Sequence, residues 1–108
     1  MLSVRGGMVT LLLTDNRQRA GELLALDDSS FVILDGRRVV VALRPAVRRI
    51  DFGAFARIDI PVTGMTLRDR QNLTRRSRFP YGMSTEAMAA LLKDAEQREP
   101  EVLRVSRP

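Results

Sequence analysis

The sequence predicts a mainly β fold: a five-stranded, strongly bent antiparallel barrel over residues 8–52, followed by a C-terminal helix. Three observations predict it. Short apolar, β-branched runs recur at hairpin spacing through the first half of the chain. Turn-forming residues separate them, and Asp35-Gly36 is the strongest hairpin signal. After Ser84 the apolar period changes from two to that of a helix.

Residues 1–7 read as a lead-in. In Met8 to Thr14, Val9, Leu11 and Leu13 share one face at period two, and Asp15-Asn16-Arg17 supplies a turn. Gln18 to Leu26 reads as a longer second strand, and Gly21 within it suggests a bulge or sharp bend. Asp27 to Ser30 forms the next turn, and Phe31 to Leu34 a short third strand. Arg37 to Leu43 pairs with that strand, Pro45-Ala46 interrupts the ladder, and Val47 to Phe52 gives the fifth strand. Closure would remove the exposed edges of such a sheet.

Residues 53–83 read as an arginine-rich extension. Ile58, Ile60 and Val62 alternate, but Pro61 and Gly64 limit them to an edge strand or an extended arm. Arg68 to Arg78 holds five arginines and one aspartate, and Phe79-Pro80-Tyr81-Gly82 reads as a loop. Ser84 is placed to cap an amphipathic helix over residues 84–99, with Glu86 in its first turn. Met88, Leu91, Leu92 and Ala95 form its apolar stripe, Pro100 ends it, and residues 100–108 read as a loose tail.

Composition narrows the function. The chain has 108 residues, one domain's worth, and neither cysteine nor histidine. Disulfides and thiolate metal sites are excluded, and the commonest general base and metal ligand is missing. No apolar run approaches the roughly 20 residues that span a bilayer. Nor do the first residues follow the layout of a signal peptide, so a cytoplasmic location is expected with no membrane partner. The formal net charge of +5 favours an anionic partner. All but one of the 18 basic residues are arginine, Lys93 being the exception, a bias that GC-rich coding sequence also produces.

Gly21, Leu23, Leu26 and Asp27, followed by Phe31 to Leu34, resemble the first Sm motif, and Val41 to Ile50 is similar to the second. The order of strand, turn and glycine-containing second strand also resembles the bacterial Sm-like RNA chaperone Hfq. The resemblance covers about 45 residues and implies a small SH3-like barrel of the Sm (LSm) family. It also implies RNA binding and a homo-oligomeric ring joined through the fourth and fifth strands. In that family a loop asparagine, a stacking residue two places earlier and an arginine of the second motif form the base pocket. The corresponding positions here hold Phe31, Ser29 and Arg44, and Pro45 stands where the family has glycine.

The candidate nucleic-acid residues are Arg44 and Arg48 at the end of the barrel, and Arg68, Arg70, Arg75, Arg76, Arg78, Phe79 and Tyr81 in the extension. Arginines supply charge for phosphates, and aromatic rings supply platforms for bases. A competing reading makes the same stretch a solvated connector whose Phe79 and Tyr81 dock the helix onto the barrel. Asp27 and Asp28 alternate in direction, so they are not expected to share a ligand, and the resemblance gives Asp27 a loop-bonding role. No nucleophile–base pair, phosphate-cradling glycine loop or metal cluster stands out, so neither an enzyme nor a cofactor is expected. A basic RNA-binding protein is the first expectation. The alternative is an interaction or scaffold module that has lost the RNA pocket and meets a protein partner through its C-terminal helix.

Overall fold

The computed structural model describes residues 6–52, 56–60 and 65–105. Alternating apolar residues build the expected strands β1 (Met8–Leu13), β2 (Gln18–Leu26), β3 (Ser30–Asp35), β4 (Arg38–Leu43) and β5 (Val47–Phe52). A 3-10 turn at Arg44–Ala46 joins the last two, with Pro45 where no backbone donor is needed. The expected second and fifth strands match residue for residue.

The sheet is larger than five strands and open. β6 (Ala56–Asp59) adds to β5, and β7 (Glu101–Leu103) adds in parallel to β4, giving the order β6-β5-β1-β2-β3-β4-β7. β6 is the edge strand that the Ile58–Val62 alternation allowed, though Val62 lies outside the described residues. β7 corrects the reading of residues 100–108 as a loose tail, because Leu103 has a place in the core. Residues 106–108, and the lead-in before Gly6, lie outside the described residues.

The inner face carries Val9, Leu11, Leu13, Leu23, Phe31, Ile33, Val40, Ala42, Val47 and Ile50, which form one buried cluster. The sheet bends in β2. Its register to β3 shifts between Leu23 and Ala25, so the bulge lies at Leu24 rather than at Gly21. Gly21 has a different reason to be glycine: a Cβ there would lie 2.5 Å from the Leu34 carbonyl oxygen. The β3–β4 turn has Gly36 at φ +62, the positive angle that tight hairpins need.

Most of the arginine-rich stretch is helical, an element the sequence reading did not include. Helix α1 spans Leu67–Arg76, and the Thr66 hydroxyl accepts the Asp69 amide at its N-terminus. Leu73 is fully buried in the sheet's core cluster, and Met65 packs against that cluster. After α1 the chain docks on the part of β2 beyond β1. There the Arg78 amide donates to the Leu23 carbonyl at 2.9 Å and the Phe79 amide to that of Leu24 at 2.8 Å.

Helix α2 (Thr85–Asp94) starts where Ser84 predicts, with its hydroxyl accepting the Ala87 amide at 3.1 Å. It stops short of residue 99. Glu96 turns left-handed at φ +57, and the Glu96 and Gln97 amides donate back to Lys93 and Leu92, a Schellman motif. That reversal, not Pro100, ends the helix. It also carries the Gln97 side chain to the outer edge of β4, where it accepts from the Val39 amide at 2.7 Å and donates to the Val39 carbonyl at 3.2 Å. The carboxamide thus extends the edge cover that β7 begins. Among the described residues no helix is long and apolar enough to cross a membrane.

Candidate nucleic-acid interface

Helix α1 sorts its arginines by angle around the axis. With Leu73 pointing into the core, positions three before and three after it flank the anchor on opposite sides. Arg70 reaches down one side to the Asp28 carboxylate in the β2–β3 loop. Arg76 reaches down the other and lies 4.7 Å from the centroid of the Phe52 ring at the end of β5. Arg68 and Arg75 are exposed, seven residues apart, and share the outward face with Gln71. Among the described residues Arg68 has no acid partner, and Arg75 bonds the Asn72 side chain. An open hollow along this side is lined by Leu67, Arg70, Gln71, Thr74 and Arg75.

Arg78 is half-buried. It grips Glu22 of β2 through both carboxylate oxygens, with Nε to Oε2 at 2.6 Å, and Glu22 also accepts the Gly6 amide. The Glu22 hydrogen bond holds the Arg78 guanidinium above its usual value against the opposing effect of burial. The nearly buried carboxylate therefore has a fixed, paired counter-charge, and the return of the chain from α1 to β2 is locked by it. Phe79 is half-buried beside it, whereas Tyr81, at the tip of the turn closed by the Gly82 amide and the Phe79 carbonyl, is fully exposed.

The β2–β3 loop and the turn at Arg44 meet. The Arg44 amide donates to the Ser29 carbonyl at 2.8 Å, and Arg44 Nε to the Asp28 carbonyl at 3.1 Å. Asp27 shapes the loop. Partial burial pushes its carboxyl up, but hydrogen bonds from the amides and hydroxyls of Ser29 and Ser30 outweigh that and leave it below its ordinary value. Phe31 is fully buried in the core and offers no ring to a base, and the exposed Ser29 spends its hydroxyl on Asp27. Arg48 lies apart from this loop and donates to Asn16 in the β1–β2 turn at 3.0 Å.

The structure thus brings together Arg44, Arg70 and the Asp27–Ser30 loop, with Arg68 and Arg75 on the outer face of the same helix as Arg70. It pairs the half-buried Arg78 with Glu22. Sequence reasoning missed Asp28 as the junction of Arg44 and Arg70. Its signal was only an acidic loop residue beside an arginine-rich segment, with nothing local to connect the two. It also missed an acid–base network on the other flank, where Glu101 accepts Arg19 at 2.7 Å and Arg38 at 2.6 Å, and Arg19 also meets Asp35.

Fold and site together define a mainly β chain with a basic helix seated across one bent sheet. No protein-family model, no curated protein and no solved structure matches it.

Proposed function

We propose that this protein binds single-stranded nucleic acid, RNA in preference, through a basic surface centred on α1, on a divergent Sm-like barrel formed by β1 to β5. One observation carries the reading. Arg68 and Arg75 stand on the outward face of a helix whose Arg70 and Arg76 lie lower on its two sides, and none of the four is buried. Tyr81 offers an exposed ring a few residues on, and Arg44 extends the charge to the loop pair of the Sm resemblance. With Phe31 buried, binding is mainly electrostatic and reads little sequence.

Log affinity for a short RNA should fall with log salt by about 0.7 per phosphate neutralised. The double variant R68A/R75A should flatten that slope by about 1.4, two contacts' worth. Fluorescence anisotropy with a labelled oligouridylate measures both. An absence of binding at low salt, or an unchanged slope in the double variant, would sink the reading.

A ring joined edge to edge through β4 and β5 is not included, because β7 and β6 already occupy those edges. One observation favours the scaffold alternative. α2 buries none of its residues fully, and its Met88, Leu91 and Leu92 stripe stays half-exposed. That alternative requires a defined protein partner to persist on the purified chain after nuclease treatment, together with an absorbance spectrum free of nucleic acid.

A further inference from the structure

Asp28 has the most exposed carboxylate of the ion pairs among the described residues, with 84% of its side chain in solvent. Even so, two arginines from distant parts of the chain converge on this residue, Arg70 on its carboxylate and Arg44 on its main-chain carbonyl. Neither the loop nor the helix depends on that carboxylate for its shape. Asp27, not Asp28, supplies the hydrogen bonds that fold the loop, and Leu73 seats α1. An ion pair this open is weakly held and readily exchanged.

We propose that the Asp28 carboxylate occupies the place of a backbone phosphate, and that Arg70 with Arg44 forms an exchange site where an incoming phosphodiester displaces it. The proposal rests on the nucleic-acid reading above and adds to it an internal competitor. A guanidinium fork accepts the two oxygens of a phosphodiester as well as those of a carboxylate. A lone small anion gains little by the exchange, since it only replaces the contact it breaks. A strand that also reaches Arg68 and Arg75 gains those contacts in addition. Asp28 therefore tunes the site towards polyanions and away from free phosphate.

The test is anisotropy with a labelled oligouridylate across a salt series, using the full chain and the variants Asp28→Asn, Asp28→Ser, Arg70→Gln and Asp28→Asn/Arg70→Gln. Thermal melts confirm folding. Asp28→Asn and Asp28→Ser should each tighten binding by about two- to fivefold, the strength of an exposed ion pair. The salt slope should change by less than the roughly 0.7 of one contact, because the parent already makes that phosphate contact by displacing Asp28. In the Arg70→Gln background the Asp28→Asn gain should vanish. If the parent binds but neither Asp28 variant binds more tightly, Asp28 is only a tether and the exchange site is wrong. A gain that survives Arg70→Gln reflects general charge and overturns it equally. No binding by the parent or any variant would remove the nucleic-acid reading itself.

Discussion

Leu73→Ala separates the seat of α1 from its charge. The helix has ten residues, below the length at which an isolated helix is stable in water, so its order depends on docking. Leu73 is its one fully buried residue. Truncating a buried leucine costs about 2–5 kcal/mol. The site lies where the helix meets the sheet, so water can enter the space left behind, and a value of about 3 kcal/mol is reasonable. The lateral contacts cannot replace it. Arg70 with Asp28 is an exposed pair worth at most about 1 kcal/mol, and Arg76 over Phe52 contributes about 0.5–1 kcal/mol.

Hydrogen exchange of the parent and the variant is the direct assay. About 3 kcal/mol of docking free energy corresponds to a fall of roughly a hundredfold in protection of the last α1 amides. The β2 and β3 amides should lose less, because their own pairing is intact. Leu73→Met, which nearly conserves volume, should cost less than about 1.5 kcal/mol and keep most of the protection. RNA affinity should fall in Leu73→Ala although no charge has changed. Unchanged protection at Leu73 to Arg76 in the alanine variant would refute the claim that this residue seats the helix.

Two further predictions concern the opposite flank. Arg19, and then Arg38, hold the Glu101 carboxyl down to about 2 from an ordinary 4.5, so its contribution is complete above pH 4.5 and is lost as pH falls towards 2. Full linkage would assign about 3 kcal/mol, and screening at this half-exposed rim reduces it to about 1 kcal/mol. Glu101→Gln should therefore lower the neutral-pH Tm by about 4–8 °C and flatten the acid limb of a stability–pH curve; an unaltered acid limb would exclude Glu101 as its source. Glu96→Gly should raise stability by up to about 1 kcal/mol, since a non-glycine left-handed residue is strained. A thermal melt reads this directly, and a lower Tm would mean that the Glu96 side chain contributes something other than strain.

The strands of the first half were legible because each contributes an alternating apolar face to one core, a local signal that needs no partner to read. Helix α1 was not, because only Leu73 of its ten residues is buried and arginines dominate the rest. Its one local marker was Thr66 three residues before Asp69, a helix start easily passed over without an apolar run behind it. β7 was illegible for a different reason. Three residues carry no periodicity, and what holds them is distant in sequence: the β4 edge, Arg19 and Arg38. The site followed the same division. Composition located the arginines, but their separation into seats and outward charges depends on where the fold places Asp28, Glu22 and Phe52.

That separation bears on how the protein would engage a partner. β7 and the Gln97 carboxamide cover the β4 edge, and β6 covers the β5 edge. β4 and β5 are therefore no longer the outermost strands, and the sheet's edges are β6 and β7. Uncovering β4 would mean withdrawing Leu103 from the core, breaking the Arg19–Glu101 and Arg38–Glu101 pairs and releasing Gln97 from Val39. The losses compound, because β7 is too short to hold its place once they are gone. The outward face of α1 asks for nothing comparable. Its outward arginines are already in solvent, and the Asp28 carboxylate at its flank is held weakly enough to yield. Under the proposed function, a nucleic acid would meet the outward face of α1 without any of these losses.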